Sequence, residues 1–189
     1  MSDLLSRPSD DILDRAADAA LVLAEDRPWG EITLRDIAKA AGVSFAELYS
    51  RAPGKAALIG RLSRRFDREA LALSDAEDAP DPHDRLFEAV MARLEAMALH
   101  KPALVAIARA APAVLGSRLP WTAKALLEAA GIDTGGRRGS LRVMAMTAVW
   151  ARILQVWRDD EGALNRTMAE IDKRLRQMRD GLTRLRAGY

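Results

Sequence analysis

The chain has 189 residues, 49% of them hydrophobic, no cysteine and a formal net charge of +2. That length suits one or two small domains with a packed core. The absence of cysteine excludes disulfides, zinc–thiolate sites and cysteine nucleophiles, which fits a reducing cytoplasm. The net charge announces neither nucleic acid nor membrane, and no run reaches the ~18 consecutive apolar residues of a membrane span. The densest run, 143–157, is interrupted by Thr147, Arg152 and Gln155. The first twenty residues lack the basic start and apolar stretch of a signal peptide.

In chain order, a first helix is predicted from Ser9, as N-cap, to about Asp26. Asp10 and Asp11 suit its positive end, and Ile12, Ala16, Ala20 and Leu23 form an apolar stripe flanked by Leu13, Ala17, Leu21 and Ala24. Arg27-Pro28-Trp29-Gly30 breaks it. Residues 33–58 then read as a helix-turn-helix. Thr33 caps a short helix to about Ala40, with Leu34, Ile37, Ala38 and Ala41 facing the core, and Gly42 makes the tight turn. Ser44 caps a second short helix, with Glu47 three residues on completing a capping box. Pro53 and Gly54 break the pattern again. A fourth helix runs past Phe66 with Leu58, Leu62 and Phe66 on one face. Residues 1–26 hold seven acidic and two basic side chains, and residues 27–68 nine basic and four acidic. The helix-turn-helix thus lies in the basic segment, as phosphate binding requires; a solvated face explains Arg61 to Arg68 equally well.

The acidic segment 75–84, with two prolines, marks a domain boundary, which separates a domain at 1–74 from a helical domain at 75–189. Helices are predicted at 84–100, 102–116, 120–130, 139–159 and 162–187, with a kink or early end at Pro112 and a loop at 131–139. The helix at 139–159 is apolar nearly all round, from Val143 to Trp157. The last carries a heptad seam of Leu164, Met168, Ile171, Leu175, Met178, Leu182 and Leu185. A helix apolar on every side needs two partners, so a symmetric dimer through the last two helices is expected.

Gly30, Thr33, Ile37, Ala38, Ala41, Gly42, Val43, Ser44, Leu48, Tyr49, Lys55 and Leu58 resemble the N-terminal pattern of TetR-family transcriptional regulators, over about residues 9–70. The resemblance implies an all-α fold with a three-helix DNA-binding head and a C-terminal domain for ligand binding and dimerisation. It implies a homodimer, a repressor in function, on operator DNA, released by a small-molecule effector. By position, Thr33, Arg35, Tyr49 and Lys55 are implied to meet phosphate, and Ser44, Phe45 and Ala46 to face base edges. The chemistry agrees, because hydroxyls and helix N-termini suit phosphate oxygens and an apolar edge suits a thymine methyl. The chain departs from the family pattern at Ala52, where an aromatic is usual, and at Glu47, a carboxylate on a helix meant to approach phosphates. Residues 149–175 also resemble TetR-fold ubiquinone-biosynthesis proteins, which bind lipid and not DNA; that alternative implies a lipid- or isoprenoid-binding accessory protein.

Met91, Leu104, Ile107, Trp121, Met144 and Trp150 are candidate lining for a hydrophobic effector, although such residues at helical spacing more often fill a core. Arg109 or Arg152 is the candidate partner for an acidic group on it. The basic face of the last helix, from Lys173 to Arg186, reads as a solvated outer face rather than a membrane surface. No catalytic residue, metal site or cofactor is expected. His83 and His100 have no partner at metal-ligand spacing, and Asp81, His83 and Asp84 read as a turn and helix cap.

Overall fold

The computed structural model describes residues 8–72, 81–160 and 164–187. Residues 75–80 of the acidic segment, 161–163, and the side chains of Ser9, Asp10, Asp11, Leu185 and Arg186 lie outside the described set. Among the described residues every regular element is helical: α1 (Pro8–Asp26), α2 (Leu34–Ala40), α3 (Phe45–Arg51), α4 (Lys55–Ala72), α5 (Pro82–Ala98), α6 (Lys101–Ala110), α7 (Pro112–Gly116), α8 (Leu119–Ala129), α9 (Gly136–Asp159) and α10 (Asn165–Ala187). The predicted helix at 102–116 is two helices. Proline at 112 has no N–H to continue the ladder, so α6 stops at Ala110 and Pro112 opens α7. The loop expected at 131–139 is half helix, because α9 starts at Gly136. α1 starts at Pro8, one residue before the expected cap.

The helices form two compact units. The first contains residues 8–65 and 99–117, so that α6 and α7 group with the head, and the second contains residues 66–98 and 118–187. In the first, α1 packs on α2, α3 and α6. Its stripe is buried as expected, with Ile12, Ala16, Ala17, Ala20, Leu21 and Ala24 in the core beside Ile37, Leu48, Leu58 and Ile107. Trp29, in the segment read only as a breaker, is a core side chain. The acidic and basic segments close on each other: Arg61 forks onto Asp14 through Nε and an Nη at 2.7 and 2.8 Å, and Arg65 meets Asp18 at 2.6 Å. Those two arginines support the unit itself, a use that neither phosphate binding nor a merely solvated face describes.

In the second unit α8 and α10 pack on α9, and α5 packs on α8 and α10. Met146, Trp150, Ile153 and Trp157 give α9 one buried face, while Ile171 and Leu175 of the heptad seam are buried within the same chain. Leu164 falls outside α10, with φ at 52°. In the middle of this core lies an ion pair. Arg93, 4% exposed, donates from Nε to Asp67 Oδ1 at 2.8 Å and from Nη2 to Thr122 Oγ1 at 3.2 Å. Its guanidinium also stands 4.8 Å from the Trp150 ring centre. Burial pushes the Arg93 pKa down, and the Asp67 carboxylate opposes that.

Candidate nucleic-acid interface

The head is built around two short helices and one obligatory glycine. Gly42 has φ at 63°, in the left-handed region that side chains avoid, so the turn between α2 and α3 requires glycine. Thr33 is the N-cap of α2. Its Oγ1 accepts from Asp36 N at 3.1 Å, while Thr33 N and Oγ1 donate to Asp36 Oδ2 at 2.8 and 2.7 Å. The sequence pattern does not announce this reciprocal capping box, because Asp stands where Glu or Gln is the usual signal. Bonds from the Thr33 backbone and hydroxyl hold the Asp36 carboxyl below its ordinary pKa. Both donors of Thr33 are thereby directed at Asp36, and its structural part is that of a cap.

Ser44 is the N-cap of α3 by backbone conformation, yet its side chain makes no capping bond. The expected Ser44–Glu47 box is therefore absent. Glu47 instead pairs with Arg51 one turn on at 3.2 Å, which lowers the net charge that its carboxylate presents. Ala46 and Tyr49 are exposed, Tyr49 by 53%. Phe45 lies under the Arg35 guanidinium, 4.4 Å from ring centre to cation, and its ring is 5.8 Å from that of Tyr49. Arg35 of α2 and Phe45 and Tyr49 of α3 so form one continuous cationic and aromatic surface. Ala52 is buried and caps the C-terminus of α3.

Lys55 has a different part from a free phosphate ligand. Its Nζ donates to the carbonyls of Trp29 and Ile32, both at 2.6 Å, and stands 4.6 Å from the Trp29 ring centre. Burial depresses its pKa. Two of three ammonium donors thus tie the start of α4 to the segment before α2, leaving one for an outside partner. A Pro-Trp-Gly breaker gives no periodicity from which this staple can be read.

The residues expected to line a ligand pocket are divided between the two units. Leu104 and Ile107 belong to the first unit, and Met91, Trp121, Met144 and Trp150 to the second. Trp150 and Ile107 are core side chains, Met91 and Leu104 are half-buried, and Trp121 and Met144 are each 64% exposed. Helical apolar periodicity identifies which faces are covered by something, but not whether the cover is the same chain. Arg152 is engaged by Glu170 at 3.0 Å. Glu170 also accepts from Arg174 at 2.7 Å, a bond that, with the Arg152 pair, holds its carboxyl below the ordinary pKa. Arg176 pairs with Asp172 at 2.9 Å, consistent with a solvated basic face on α10.

A glycine-turned helix pair with a cationic and aromatic surface forms a helix-turn-helix within an all-α chain. Residues 17–62 match the family model for bacterial regulatory proteins of the tetR family. No curated protein matches the chain. Its fold is similar to solved TetR transcriptional regulators. The one from Nitrosomonas europaea is 24% identical with a TM-score of 0.69, covering 88% of this chain and 96% of that one. One from Rhodococcus sp. RHA1 is 17% identical with a TM-score of 0.67, covering 91% and 97%. One from Streptomyces coelicolor is 20% identical with a TM-score of 0.58, covering 94% and 85%. The match to the family model is confined to the head, and the likeness to the solved regulators is one of fold.

Proposed function

We propose that the chain is a dimeric, ligand-responsive repressor, not an enzyme, acting in the cytoplasm. Two heads occupy successive major grooves of a near-palindromic operator. The division of labour is a DNA-binding head within residues 1–74 and effector binding with dimerisation within 75–189. The observation that carries this reading is the joined Arg35–Phe45–Tyr49 surface, with Arg35 and Tyr49 exposed, beside the Ser44 side chain, which makes no capping bond at the start of α3. Arg35 and Tyr49 meet phosphate, and Ser44, Phe45 and Ala46 meet base edges. Lys55 offers phosphate its remaining donor, and Thr33 acts by presenting the α2 N-terminus. A second copy is expected against α9 and α10, where Met144 is exposed and Ala145, Ala148 and Gly181 line a shallow groove of about 380 Å³. Small residues there let helices approach closely.

The test is binding of the purified chain to its own upstream DNA against scrambled DNA of equal composition, at several salt concentrations. Selective binding with steep salt dependence is expected. Phe45→Ala should change which sequences are preferred. Equal binding to both DNAs would overturn the regulator reading and leave the lipid-binding accessory protein as the surviving alternative.

A further inference from the structure

A cavity of about 950 Å³ opens in the second unit, within the size range of small-molecule sites. It lies between the start of α5, the end of α8, the start of α9 and α10. Its floor is apolar, with Leu86, Leu127, Leu175 and Met178 among its lining, and Ile132, Leu141 and Leu182 extend that surface outward. Its charged lining is one-sided, with Arg137, Arg138, Arg142 and Arg179 against Asp81. Arg142 is engaged by Asp133, donating to its carbonyl at 2.8 Å, and Arg179 lies 3.8 Å from Asp180. Asp81 Oδ1 accepts from His83 N at 3.0 Å. Arg137 and Arg138 are exposed and form no ion pair among the described residues. They stand in the first turn of α9, which contains no acidic residue. Positive charge at a helix N-terminus opposes the helix dipole, so stability of α9 gives no reason for two arginines there. His83 lines the same cavity, and its buried Nε2 has no hydrogen-bond partner among the described residues.

We propose that this cavity binds an amphipathic anion, an aliphatic body with an acidic head, and that this ligand is the effector. Arg137 and Arg138 meet the head, His83 Nε2 adds a polar contact, and the leucine floor receives the chain. Cations grouped on one rim of an apolar cavity select for charge and apolar body together, which neither a sugar nor a neutral terpene satisfies. The effector role rests on the repressor reading above; the binding does not.

The full chain is titrated by calorimetry with dodecanoate, dodecyl phosphate, dodecanol and inorganic phosphate, and its occupancy of upstream DNA is followed with and without dodecanoate. Saturable binding of dodecanoate or dodecyl phosphate is expected, the tighter of the two assigning the head. Dodecanol should bind at least about tenfold more weakly, as loss of charged hydrogen bonds implies. Arg137→Glu with Arg138→Glu should weaken binding of the acidic amphiphiles by at least about tenfold, with the helical circular-dichroism spectrum and DNA binding unchanged. No saturable binding of either acidic amphiphile, unchanged binding by the double variant, or inorganic phosphate binding as tightly as the amphiphiles would overturn the site. Should a bound amphiphile leave DNA occupancy unchanged, the site stands and its effector role falls. Should the chain lack selective DNA binding, the repressor reading falls while the calorimetry decides the site alone.

Discussion

Among single residues, the side chains of the head that look most like DNA ligands are also its fasteners. Lys55 shows the consequence. Removing it leaves the Trp29 and Ile32 carbonyls without their donor, so Lys55→Ala loosens the head as well as removing a cation, and weak DNA binding by that variant would not isolate a phosphate contact. Asp36 allows a cleaner test. Its folded pKa lies below its ordinary 3.8 because Thr33 hydrogen-bonds the carboxylate. A depressed carboxylate pKa contributes stability that is fully present above the unfolded value and lost as pH falls through the folded one. The difference in denaturation midpoint between the wild type and Asp36→Asn should therefore be full at pH 7 and shrink below about pH 4. A difference constant down to pH 3 would show that the charge of Asp36 adds nothing to the cap.

At the scale of helices, two junctions carry sharp expectations. Gly139 is in the first turn of α9, and a Cβ built there falls on the backbone of Thr134. In an open helix Gly→Ala stabilises by up to about 1 kcal/mol. Here the clash with fixed backbone wins, and Gly139→Ala should lower stability by roughly 1–3 kcal/mol in a denaturant titration. A gain would mean that the loop before α9 yields freely. The Arg93 node joins α4, α5, α8 and α9. Removing one partner of a buried ion pair typically costs about 3–5 kcal/mol, whereas replacing both by apolar side chains is often neutral. Arg93→Met should therefore be far more damaging than Arg93→Met combined with Asp67→Leu, as read from their melting transitions. Helix limits were legible from the apolar spacing of α1 and α9 and from Pro112. The node was not, because Asp67, Arg93 and Thr122 are far apart in the chain and single charged residues have no period. The helix-turn-helix was legible because its glycine turn and caps are local chemistry. The cavity at the start of α9 was not, since residues 131–139 read as a glycine-rich loop and four separate segments build its walls.

For the whole molecule, the question is how many heads act together on DNA. Residues 27–55 carry five basic side chains against three acidic ones, and Arg51 is partly neutralised by Glu47. On the proposed reading each head offers few cations to phosphate, so useful affinity would need the two heads of the proposed dimer. The salt dependence counts them. Removing one phosphate-bound cation flattens the slope of log affinity against log salt by about 0.9 on duplex DNA. Arg35 occurs once per chain, is exposed, and touches Phe45 through its ring face only. Arg35→Ala should flatten the slope on a full operator by about two in a dimer, and by about one in a protein that binds with a single head. Met144→Glu, on the exposed face of α9, would put like charges into the proposed dimer interface and should split the dimer in sedimentation. In that background the effect of Arg35→Ala on the slope should fall from about two to about one. A change of about one in both backgrounds would show that the heads do not bind as a pair, and the near-palindromic operator would go with them.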